Sequence, residues 1–282
     1  MDNIPKPIKK LAEKTLSNAA NKFVDYAVTK FTGTSIKVFE AEGDVEADKV
    51  KTRWEIEKPF WIQAEAVKIN RQYSNWCNTL LKATPLIISK ENKLPHDDDV
   101  FWGFLEHSKE ISNEEMQELI AKIIAGEYNE PGTYSMGTLQ TIKMLGKKEL
   151  KLFEKIGTLI INEGQIPQEL FHLPESAKKF LAQIGIDFGS LQSLQNLGLF
   201  LPNEMTNTIP NPENKNYMVP YFEKNILFAP ADKNVVDITI PGFYGLSDIG
   251  KQIIKHLNTT ENIEYFNWLK SNYNIPGYLI KE

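Results

Sequence analysis

The chain has 282 residues, 41% apolar and 24% charged, with 32 basic against 37 acidic side chains and a net charge of −5. That balance supports about two compact units and excludes both wholesale disorder and a general polyanion binder. A single cysteine, Cys77, excludes an internal disulfide framework or a multi-cysteine metal site. No apolar run approaches the ~18 residues of a spanning helix, and no signal-peptide core follows Met1, so a soluble protein of the reducing cytosol is expected.

Residues 1–39 are predicted to hold an amphipathic helix. Ile8, Ala12, Leu16, Ala19, Ala20, Phe23, Ala27 and Phe31 recur every three or four positions and build one apolar stripe. Lys10, Lys14 and Lys22 lie on the remaining surface, and seven lysines against three acids give the segment a net +4. Two readings of the stripe stay open. It packs on protein, as most amphipathic helices do, or it meets a membrane surface, as the lysine excess and small alanines allow.

In residues 40–90 the charge reverses at Glu40, Glu42, Asp44, Glu46 and Asp48. Beyond Pro59, Ile62, Ala66, Ile69, Tyr73, Trp76 and Leu80 follow the alternating spacing of a coiled-coil-like seam on one long helix. Residues 91–170 read as a bundle of short helices. An acidic cluster, His96-Asp97-Asp98-Asp99, leads the first, and Ser112-Asn113-Glu114-Glu115 fits a capping box for the second. Gly126 is expected to end that helix, Pro131-Gly132 to turn, and Ser135 to cap the next.

In residues 171–282, helices near 175–184 and 189–197 precede a polar stretch, 201–216, expected as a loop. Strands are predicted at 217–222, 226–228 and 235–240, then a helix capped by Ser247 and a closing helix. The expected fold is therefore mostly α: N-terminal amphipathic and long helices, a central helical bundle, and a C-terminal winged-helix-like α+β module.

The stretch Ser112-Asn113-Glu114-Glu115-Met116-Gln117, continued by Ala125-Gly126-Glu127 and then Pro131-Gly132-Thr133-Tyr134-Ser135 with Thr138-Leu139, resembles the bacterial family known as domain of unknown function 2806. Its pattern is S-x-E-E-M-Q, A-G-E and P-G-x-[FY]-S-x-x-T-L. The likeness extends more loosely to Asn196-Leu197-Gly198-Leu199 and Leu246-Ser247-x-x-Gly250. Ile120 and Gly137 depart from the family's usual tryptophan and arginine, which weakens any role for those two positions. The resemblance implies a bacterial accessory protein without a named activity, and its layout is similar to that of abortive-infection proteins.

The candidate chemistry is thin. Gly245-Leu246-Ser247-Asp248-Ile249-Gly250-Lys251 matches most of a P-loop, but Gln252 replaces the magnesium-binding hydroxyl, and Ser247 as a helix cap explains the same letters. The Asp97–Asp99 cluster lacks the glycine and distal glutamate of a calcium loop and suits a helix dipole. His96, His107, His172 and His256 are scattered, and Cys77 beside Trp76 reads as a buried thiol. No nucleophile, base and oxyanion hole come together.

A non-enzymatic anti-phage protein of the abortive-infection type is expected. It would sense a protein partner, such as a phage component, and act as a homo-oligomer through the N-terminal helix, which includes Ile8, Leu16, Phe23 and Phe31. No cofactor, metal or nucleic acid enters this reading, and the location is cytoplasmic with membrane association on activation. Tyr217, Tyr221, Phe222 and Tyr244 are the candidate partner-binding residues, with filling of the module's own core as the other reading. The alternative is a winged-helix regulator that binds nucleic acid. Against it, residues 187–282 hold seven lysines and ten acids, a net −3, which a duplex would repel.

Overall fold

The computed structural model describes residues 60–88, 98–172 and 175–281, together with Val24. They fall into two compact units that divide between Leu139 and Gln140. The predicted N-terminal stripe lies outside the described residues.

The described residues of the first unit are helical. They form α1 (Phe60–Ala83), α2 (Asp98–Ser108), α3 (Glu114–Asn129) and the start of α4 (Met136–Met144). Trp76, Cys77 and Leu80 from α1 are fully buried, as are Phe101, Phe104 and Leu105 from α2 and Ile120, Ile123 and Ile124 from α3. Of the expected seam, Trp76 and Leu80 are buried and Tyr73 half-buried. Every residue from 67 to 71 is exposed, Ile69 among them, because heptad spacing buries a side chain only where a neighbouring helix covers it.

Polar side chains tie the ends of these helices. Asn75 Nδ2 donates to Lys109 O (2.9 Å) and to Ser112 Oγ (3.1 Å). The expected capping box shifts by one residue: Asn113, not Ser112, is the N-cap of α3, its side chain accepting from Met116 N–H at 3.1 Å. Ser112 is instead used as an acceptor by Asn75.

Nor does α3 end at Gly126. The helix runs on to Asn129, and the missing Cβ makes room for Tyr134, whose hydroxyl would lie 2.8 Å from it. The next residue, Glu127, is completely buried and holds the following turn. Its two carboxylate oxygens accept from Gly132 N–H (2.6 Å) and Tyr134 N–H (3.0 Å). Gly132 adopts φ +86° in that turn, a conformation that favours glycine. Ser135 then caps α4 as expected, accepting from Thr138 N–H at 3.2 Å.

The second unit mixes helices and sheets. After α5 (Lys147–Gly157) come β1 (Gln165–Pro167), α6 (Glu169–His172), α7 (Glu175–Ile184) and α8 (Phe188–Asn196). Next are β2 (Phe200–Pro210), β3 (Tyr217–Tyr221), β4 (Lys224–Pro230) and β5 (Asp237–Leu246), then α9 (Asp248–Ile254), α10 (Ile263–Asn272) and β6 (Tyr278–Lys281). Two antiparallel three-stranded sheets result, ordered β1-β5-β2 and β3-β4-β6.

This corrects the expected fold class. The described residues are about 52% helix and 20% strand, an α+β protein rather than a mostly α one. The stretch expected as a loop before the wing is largely strand β2. Its residues 203–208 are exposed on both faces, so it shows none of the alternation that marks a half-buried strand. Backbone pairing with β5 holds it, interrupted by two register shifts. The winged-helix layout gives way to two sheets because β1 and β6, too short to show a period, complete them on either side.

One junction binds the module together. Leu199 O accepts from Ser247 N–H (3.0 Å), and Ser247 Oγ donates to Gly198 O at 2.5 Å while accepting from Gly250 N–H at 2.9 Å. A Cβ on Gly250 would lie 2.0 Å from Leu199 O. The P-loop-like letters are therefore a helix cap and a close backbone approach, on a helix of only seven residues.

Alanine normally stabilises a helix over glycine by about 1 kcal/mol. Gly250→Ala should reverse that sign and destabilise the chain by about 1–3 kcal/mol in urea melts, because the backbone contact must open. Glu127→Ala should cost about 2–4 kcal/mol by stripping two backbone donors of their acceptor, and Glu127→Gln less.

Candidate functional site

The four aromatic residues expected to meet a partner do not form one surface. Tyr217 and Tyr221 belong to the β3-β4-β6 sheet, and Tyr244 to the β1-β5-β2 sheet. Tyr221 is a core ring. Its hydroxyl donates to Thr158 O (2.8 Å) and accepts from Asn262 N–H (2.6 Å), and burial pushes its pKa up to about 12. Tyr217 is half-buried, and Phe222 is exposed with φ +49°. Ile8, Lys10, Leu16, Lys14, Lys22, Phe23 and Phe31 lie outside the described residues. Cys77 is buried, and desolvation raises its thiol to about 12, as expected of an inert packing residue.

Tyr244, although buried, leads to the most distinctive surface of the second unit. Its hydroxyl is 3.0 Å from Nε2 of His172. Its ring meets Phe171 edge-on at 5.9 Å and Phe188 at 6.0 Å, and those two rings meet each other at 6.0 Å. Three elements supply these rings, with α6 carrying Phe171 and His172, α8 carrying Phe188, and β5 carrying Tyr244. Phe188 opens α8 directly after its cap. Asp187 accepts from Ser190 N–H at 2.7 Å, and Ser190 Oγ closes a capping box around it. That cap fixes the first turn of α8 and so presents Phe188, 38% exposed, at the rim of a groove.

The groove has a volume of about 500 Å³ and runs between α6, α7 and α8. Leu170, Leu181 and Ile186, all buried, make its floor, while Lys178 stands at its edge. A Schellman turn closes α7. Ile186 N–H donates to Leu181 O and Gly185 N–H to Ala182 O, with Gly185 at φ +67°.

Polar groups gather behind the aromatic wall. Gln168 and Glu204 converge over Gly242, where a Cβ would lie 2.3 Å from each side chain. Glu169 buries Oε2 without a hydrogen-bond partner. Its pKa is raised, by burial first and then by the charge of Glu204, against which His172 pulls it down. Carboxylates, an imidazole and a phenol thus lie near one another. No group of three His, Cys, Asp or Glu among the described residues is placed to hold a metal ion, and no helix among them is long and apolar enough to cross a membrane.

Sequence reasoning missed Phe171 and Phe188. They are far apart in the chain, on separate short helices, and no periodic signal joins them. The motif residues that stood out instead, Glu127, Gly132, Ser247 and Gly250, serve the fold.

A family model described as protein of unknown function (DUF2806) matches residues 67–270. No curated protein and no solved structure matches the chain.

Because Glu169 is held with a raised pKa, its ionisation opposes folding. The penalty is absent below the unfolded value of about 4.3 and complete above the folded one. Glu169→Gln should therefore raise the melting temperature at pH 7–8, and the gain should vanish as the pH falls below about 4. Thermal melts across that range test it.

Proposed function

The chain belongs to the DUF2806 family, and we propose that it is a non-enzymatic recognition protein whose groove between α6, α7 and α8 takes a protein partner. One observation carries the reading: an exposed phenylalanine, Phe188, braced by Phe171 and Tyr244 beside an open apolar groove. Aromatic side chains fixed in advance lose little entropy on binding and are favoured as interface anchors. Tyr244 acts as a positioning residue behind the surface, which changes the role first expected of it. The proposed setting is anti-phage defence of the abortive-infection type, with a phage component as the partner sensed in the cytoplasm. The N-terminal helix would supply homo-oligomerisation and, on activation, membrane association.

Cells expressing the protein should plate phage poorly. Phe188→Glu should restore plating while the purified variant still folds cooperatively, its melting temperature lowered only by the lost ring contacts. Full protection by a folded Phe188→Glu protein would overturn the assignment of the groove.

For the N-terminal segment, Leu16→Glu with Phe23→Glu places two charges in the stripe, each disfavouring burial in lipid or protein by roughly 2 kcal/mol or more. Liposome leakage caused by the parent protein and lost in this double variant is the expected outcome. Leakage by neither assigns the stripe to packing or oligomerisation. Duplex DNA should bind the full chain only weakly, given the net −3 of residues 187–282. Submicromolar, steeply salt-dependent affinity would reverse that assignment.

A further inference from the structure

Resting on the recognition reading above, we propose a chemical class for the partner: an acidic peptide segment that seats a bulky apolar side chain in the groove and sets its carboxylates against Lys178 and Lys155. The groove supplies the apolar contact, floored by Leu170, Leu181 and Ile186 and walled by Phe171 and Phe188. At about 500 Å³ this open groove has room for one bulky side chain.

Three charged side chains surround it. Lys178 is exposed on α7 at the groove's edge. Lys155, exposed on α5, reaches the opposite end of α7, its Nζ 3.6 Å from where a Cβ on Gly185 would stand. Gly185 lines the same groove, so the two ammonium groups mark two points along it. The third charge is Asp187. Its Oδ1 accepts from both Ser190 N–H and Ser190 Oγ at 2.7 Å, and those bonds hold its pKa below the ordinary range. Its Oδ1 is engaged in capping α8, but the exposed carboxylate keeps its negative charge and counts against the two lysines. Two cations against one carboxylate leave the rim net positive, so an acidic segment fits it better than a basic one. Such rim charges set orientation and encounter rate more than affinity.

The test uses the full-length protein and a displayed library of random peptides. Selected peptides are synthesised with a fluorophore and titrated by anisotropy against the parent chain, Phe188→Ala, Lys178→Glu and Lys155→Gln. All three sites are at the surface, and melting curves check that the variants fold. The expected result is enrichment of acidic residues flanking an aromatic or large aliphatic one. Affinity should fall about threefold for each lysine change, fall further with Phe188→Ala, and weaken with added salt. Peptides without acidic enrichment, lost in Phe188→Ala but indifferent to both lysine changes, would overturn the acidic class and leave the recognition groove standing. No enriched peptide, or peptides indifferent to all three variants, would overturn both.

Discussion

The second unit depends on one carbonyl oxygen. Leu199 O accepts from the backbone of Ser247 and lies where a side chain on residue 250 would have to be. This contact binds the turn after α8 to the end of β5 and the start of α9. It works only with glycine at 250, because any Cβ would drive the two backbones apart. Since α8 carries Phe188 and β5 carries Tyr244, the same junction fixes both parts of the aromatic wall relative to each other. The groove is a downstream consequence of a backbone contact that touches no ligand.

The first unit repeats the same logic with a carboxylate. Glu127 reaches from α3 to the two backbone donors of the Gly132–Tyr134 turn, and Gly126 clears the space that the Tyr134 ring needs. A buried carboxylate is costly unless its acceptors are filled, and here each oxygen accepts a backbone N–H. The family motif therefore reads as a description of this clasp: a glycine for clearance, a glutamate as acceptor, a glycine for φ, a tyrosine as lid. A motif can be long and specific because a backbone geometry demands it, without marking any reaction.

The proposed recognition surface shows the converse. Phe171, His172, Phe188 and Tyr244 obey no spacing rule, and three of the four stand on helix ends or short elements. What unites them is the meeting of α6, α8 and β5 through these rings. Their rigidity comes from mutual edge contacts and one hydrogen bond to His172, each modest alone. Glu169 stands behind this wall as an unpaired buried oxygen, a local cost that the surrounding packing tolerates.

The sequence by itself determined the elements whose signal is local. The helical core of the first unit, the caps at Ser135 and Ser247, the buried Cys77 and the hairpin strands around Tyr217–Pro230 were all legible from periodicity and capping chemistry, and the motif revealed the family. Tertiary structure alone decided the rest. Strand β2 has no buried face and so no alternation, and its existence rests on backbone pairing with β5. Gly126 read as a helix stop because a missing side chain looks the same in sequence whether it frees φ or frees space. Which aromatic rings reach solvent was likewise decided only in the fold. Tyr221 and Tyr244 turned inward while Phe188 stayed at the rim, because exposure depends on which distant elements cover a side chain, and that information is not local to any segment.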